Sequence, residues 1–70
     1  MKYKIKMQMI DKINKRSKTI VARVFENEVQ AHAWLAVWSS YADVFNKNCC
    51  TLYFGTMRAL VTLIWIETEK

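Results

Sequence analysis

Few side chains in this 70-residue chain could do covalent chemistry, and their spacing argues against it. His32 is the sole histidine. Ser39, Ser40 and Asp43 fall on roughly its side of a helix, where a nucleophile, a base and an orienting acid could gather. The step from His32 to Ser39, however, is about 10 Å along a helix axis, too far for a nucleophile–base hydrogen bond. Cys49 and Cys50 are adjacent, so they cannot staple distant parts of the chain and do not form a CxxC redox pair. With one histidine they also fall short of the four spaced ligands of a structural zinc. One thiol is expected buried and the other half-exposed, both reduced. No Gly-rich phosphate loop is present. Neither an enzyme nor a metal or cofactor is expected.

Charge is the stronger signal. Eight of the eleven basic residues (Lys2, Lys4, Lys6, Lys12, Lys15, Arg16, Lys18 and Arg23) lie in the first 23 positions, opposed only by Asp11. That segment carries a net +7, and residues 24–70 carry a net −2. Such a patch suits an acidic protein surface or phosphates, and equally a solvated hairpin whose lysines deter edge-to-edge aggregation. Lys4, Lys6, Lys15, Arg16, Lys18 and Arg23 are the candidate partner-binding residues.

The elements that position these groups follow from periodicity. Residues 2–9 alternate, Tyr3, Ile5, Met7 and Met9 to one side and Lys2, Lys4, Lys6 and Gln8 to the other, as a half-buried strand does. Met7 and Met9 are expected to fill core. Residues 11–18 form a polar connection. Residues 19–25 are β-branched and make a second strand, with Ile20, Ala22 and Val24 inward and Arg23 outward, closing a hairpin. Residues 27–46 carry a helical period, with Val37, Tyr41, Trp34, Trp38, Ala31, Leu35, Val44 and Phe45 on one half-turn-wide apolar face. Asn27 is the expected N-cap, with Gln30 reaching back to it, and Glu28 and Lys47 agree with the helix dipole. Residues 49–54 and 60–67 read as two more strands, joined through a hairpin turn at residues 55–58 in preference to one long strand bent by a bulge at Gly55.

The expected fold is therefore α+β, a single domain of order β-β-α-β-β, with an antiparallel sheet and one amphipathic helix across one face. The last strand is apolar on both sides, and only one helix is available, so something else should cover the second face. Tyr53, Leu63 and Trp65 on that outer face are the candidate self-association residues of a homodimer.

The remaining expectations concern function. The mainly apolar run of residues 60–66, with Thr62 inside it, is far short of the ~20 residues that span a bilayer, so no membrane partner is expected. The basic N-terminus lacks an apolar h-region, which points to the cytoplasm. The helix exposes Glu28, His32, Ser39 and Asp43, a poor surface for reading nucleic acid. A sheet face with Tyr53 and Trp65 among Lys4, Lys6 and Arg23 could still stack bases. The leading expectation is a small non-catalytic protein-binding module, an inhibitor or antitoxin-like factor of the kind mobile elements and phages encode. A sequence-tolerant nucleic-acid binder and a structural homo-oligomer are the alternatives.

Overall fold

The computed structural model describes residues 1–46 and 48–69. In chain order the elements are β1 (Lys2–Asp11), β2 (Arg16–Phe25), α1 (Glu28–Ser39), β3 (Val44–Phe45), β4 (Cys49–Phe54), a short 3-10 turn (Thr56–Arg58) and β5 (Leu60–Glu69). The strands form one antiparallel sheet of order β2-β1-β5-β4-β3. With α1 packed on one face this is the α+β, β-β-α-β-β layout expected, plus the two-residue β3.

The first hairpin is longer than its polar sequence implied. Its connection shrinks from residues 11–18 to residues 12–15. Asp11 supplies the turn chemistry that glycine or proline would have given. Its carboxylate accepts from the Ile13 and Asn14 amides at 3.0 and 3.1 Å and from Asn14 Nδ2 at 2.8 Å. These bonds, the Asn14 side chain first, hold the Asp11 carboxyl below its ordinary pKa. Lys15 completes the reversal in the left-handed region, at φ 54°.

A register shift between Ile5 and Lys6 places a bulge in β2. Ile5 faces Arg23 and Lys6 faces Val21, so Ala22 is the extra residue. A one-residue slip exchanges the two faces of everything beyond it. Val24 therefore stands opposite Lys4 on the outer side, and Arg23 lies on Ile5's side with its guanidinium 5.4 Å from the Phe25 ring. The simple alternation that put Val24 inward and Arg23 outward is overturned by this bulge.

Asn27 caps the helix as expected. Asn27 Oδ1 accepts from the Val29 and Gln30 amides at 2.8 and 3.2 Å. The helix ends seven residues early, at Ser39. Ser39 Oγ donates to Leu35 O at 3.1 Å and Ser40 Oγ to Val37 O at 2.6 Å, hydroxyl bonds that compete with the helical ladder. The Tyr41 and Ala42 amides then reach back only three residues, to Trp38 O and Ser39 O, tightening the last turn. Val44 and Phe45 leave the helix altogether and pair with Thr51 and Cys50. Lys47 lies outside the described residues.

The core is small. Ile5, Leu35, Ile64 and Cys50 are fully enclosed, with Ala31 and Leu52 beside them and Tyr3, Met7, Phe25, Trp34 and Ile66 packed around. Val37 and Tyr41, expected on the buried face, are 61% and 75% exposed: Val37 sits on the side of α1 away from Leu35, and Tyr41 lies past the helix end, where the chain has turned away. No second layer covers the outer face among the described elements. Truncating Leu35→Ala is expected to cost about 2–5 kcal/mol, because it opens a cavity beneath α1. Val37→Ala, one half-turn away, should stay within about 0.5 kcal/mol. Urea unfolding of the two variants checks the contrast.

Candidate functional site

Cross-strand partners share a face of the sheet, so the register settles which candidate residues meet. On the outer face Lys6 stands opposite Trp65, Leu63 opposite Gln8 and Thr51, and Tyr53 opposite Val61. Tyr53, Leu63 and Trp65 thus share one face with Lys4 and Lys6, as expected, and all three are half-buried. Arg23 is not with them.

That face is not free for an anion. Lys4 Nζ lies 2.6 Å from Glu69 Oε2 and Lys6 Nζ 2.7 Å from Glu67 Oε2, two diagonal ion pairs. Trp65 Nε1 donates to Glu67 Oε1 at 3.2 Å, and the Arg58 guanidinium sits 4.9 Å over the Tyr53 ring. Hydrogen bonds from Lys6 and Trp65 hold the Glu67 carboxyl below its ordinary pKa, and the bond from Lys4 does the same for Glu69. The Lys4 ammonium is raised in return. Two of the six candidate partner-binding cations are therefore engaged within the sheet.

The cations at the end of the first hairpin are not. Among the described residues no carboxylate lies within ion-pair distance of Lys12, Lys15, Arg16 or Lys18. On the helix-bearing face the register lays out two rows at this end, Lys18–Met9–Thr62–Leu52 and Arg16–Asp11–Leu60–Phe54. Four strands at ~4.8 Å spacing make each row about 14 Å long. Of these residues only Leu52 belongs to the core that Ala31 and Leu35 of α1 close; Met9, Leu60 and Phe54 lie beyond it and stay exposed. The result is an open groove of about 530 Å³ with Met9, Phe54, Leu60 and Thr62 as its floor and Arg16 and Lys18 on its rim. Phe54 and Leu60 are 49% and 45% exposed, and Met9 is exposed rather than packed in the core. Sequence periodicity could not find this floor, because it marks the face of a strand and not how far along it the helix extends.

A second cleft, about 630 Å³, lies between the C-terminal half of α1 and β3, lined by His32, Leu35, Ala36, Ser39, Ser40, Phe45 and Asn46. It brings His32, Ser39 and Ser40 together but not into a catalytic arrangement. Both hydroxyls donate to main-chain carbonyls, and His32 Nε2 sits 3.5 Å from Glu28 Oε1. Asp43 is used elsewhere, its Oδ2 accepting from the Tyr53 amide at 3.0 Å. Cys50 is buried and Cys49 half-buried, both as free thiols, and burial pushes the Cys50 thiol pKa up. Among the described residues no three of His, Cys, Asp or Glu gather as a metal ion requires, and no helix is long and apolar enough to cross a membrane. Comparison with protein-family models, curated proteins and solved structures gave no match.

The outer ion pairs set an acid dependence. Because the folded state lowers the pKa of Glu67 and Glu69, their contribution is complete above the ordinary value of 4.5 and is lost as pH falls through the lower folded values. The urea midpoint should therefore drop below that pH, and the double variant E67Q/E69Q should drop less steeply. Equal slopes for variant and parent would mean that the pairs contribute nothing.

Proposed function

We propose that this chain is a small, non-catalytic protein-binding module that docks the open end of its sheet against an acidic, partly apolar surface of a larger protein. The observation that carries this reading is the joining of four cations without an ion-pair partner among the described residues, Lys12, Lys15, Arg16 and Lys18, to an exposed apolar floor of Met9, Phe54 and Leu60. An apolar centre with a charged rim is the anatomy of a protein interface. The cations would steer association and fix orientation, and the floor would supply most of the affinity. A module of this kind acts by masking what it covers, so an inhibitory or antitoxin-like role belongs to the same proposal.

Sequence-tolerant nucleic-acid binding is the second reading, and the same four cations favour it. The outer face gives it little support, with Lys4 and Lys6 paired to carboxylates and the Tyr53 ring already carrying Arg58. A stacking platform needs open aromatic faces. Self-association through Tyr53, Leu63 and Trp65 is independent of both readings.

The test compares the native chain with K15E/R16E/K18E. The protein-binding reading expects one stoichiometric partner from the native host, an acidic protein, retained by the native chain and lost by the charge-reversed variant. The same native chain should not retard labelled DNA or RNA at low salt. Retardation that weakens steeply as salt rises, with no protein partner, would replace this reading with the second one.

A further inference from the structure

Strand β2 is the long free edge of the sheet. It runs ten residues, pairs with β1 on one side only, and among the described residues has no strand partner on the other. About half the N–H and C=O groups of such a strand point outward without a strand partner. The opposite edge differs, since β3 closes part of it through Val44–Thr51 and Phe45–Cys50.

The side chains along β2 have a definite pattern. Arg16, Lys18 and Arg23 share the helix-bearing face with Ile20, and Ser17, Thr19, Val21 and Val24 lie on the outer face. All eight are exposed. The strand carries three cations and no carboxylate. Two copies pairing β2 to β2 would set these cations against one another, which disfavours self-pairing. An extended acidic segment meets no such penalty.

We propose that β2 accepts an extended acidic peptide segment of the partner as a sixth, antiparallel strand. The inner-face residues of that strand would place carboxylates opposite Arg23, Lys18 and Arg16 and an apolar side chain opposite Ile20. Its outer face would carry small or β-branched residues against Val24, Val21, Thr19 and Ser17. Main-chain hydrogen bonds give such strand addition its affinity, and alternate side chains give it specificity. The acidic end beside Arg16 and Lys18 would lie at the mouth of the groove floored by Met9 and Leu60. This inference rests on the protein-binding reading above and specifies how the hairpin engages its partner.

The experiment uses a fluorescent peptide of sequence Thr-Glu-Val-Leu-Thr-Glu-Thr-Glu, a scrambled control, and a copy N-methylated at alternate residues in each of the two possible phases. Strand addition expects saturable binding at low salt and weakening by about tenfold or more in one N-methylated phase, which removes the pairing N–H groups. It also expects about tenfold weakening by R16E/K18E. Amide exchange of residues 17–24 should slow on binding. The N-methyl arm leaves the protein itself unchanged, so loss of folding cannot mimic the result. Equal affinity of both N-methylated phases and the parent peptide, with sensitivity to R16E/K18E kept, would overturn strand addition and leave the acidic-partner reading standing. Absence of binding by the parent peptide would also overturn strand addition, and the partner retained by the native chain but not by K15E/R16E/K18E would then decide the broader reading separately.

Discussion

A mismatch in length governs this molecule. A twelve-residue helix is about 18 Å long, and a ten-residue strand about 33 Å. Whatever its crossing angle, α1 can cover only part of the sheet. It lies over the end where Ile5, Ile64, Ile66, Cys50 and Leu52 meet, and Ala31 and Leu35 close that core. The other end keeps its β pairing but has no second layer. The overall thickness of 13 Å against a length of 38 Å expresses the same fact.

Two features of the strands then decide which charges are free. On the outer face, β1 and β5 run antiparallel so that Lys4 and Lys6 find Glu69 and Glu67 on the diagonal, and Lys6 stands directly opposite the half-buried Trp65. The aromatic outer face is thereby partly sheathed by the protein's own charged residues. On the hairpin end no carboxylate is placed to do this, because Asp11 is committed to its turn. The +7 of the first 23 residues is thus divided by topology into an internally balanced ladder and an unbalanced tip.

Much of the architecture was legible in the sequence, because the strict alternation of residues 2–9 and the apolar run of β5 admit few other structures. The Asn27 cap and the Gly55 hairpin are local chemistry and were legible for that reason. The end of the helix was not. Tyr41, Val44 and Phe45 fit the apolar arc of a helix as well as they fit a strand, and pairing with Cys50–Thr51 settled the competition through contacts invisible to a local pattern. The two hydroxyls at Ser39 and Ser40 were the available stop signal. The β2 bulge was hidden too, since a one-residue slip leaves no mark in composition. Alternation placed Tyr53, Leu63 and Trp65 on one face with Lys4 and Lys6 but misplaced Arg23 there, and the carboxylates that pair with Lys4 and Lys6 lie more than sixty residues away along the chain, where only the β1–β5 register brings them near. The groove floor was missed because Met9 and Leu60 obey the same alternation as true core residues.

Binding at the open end of the sheet requires that end to be bare. The direct measurement is broadening of side-chain methyl signals by a soluble, uncharged gadolinium chelate in an NMR experiment on the isolated chain. Met9 and Leu60 methyls should broaden strongly, while those of Ile5, Leu35 and Ile64 stay sharp. Equal protection of Met9 and Ile5 would mean that the far half of the sheet is covered, and would contradict the account at its root.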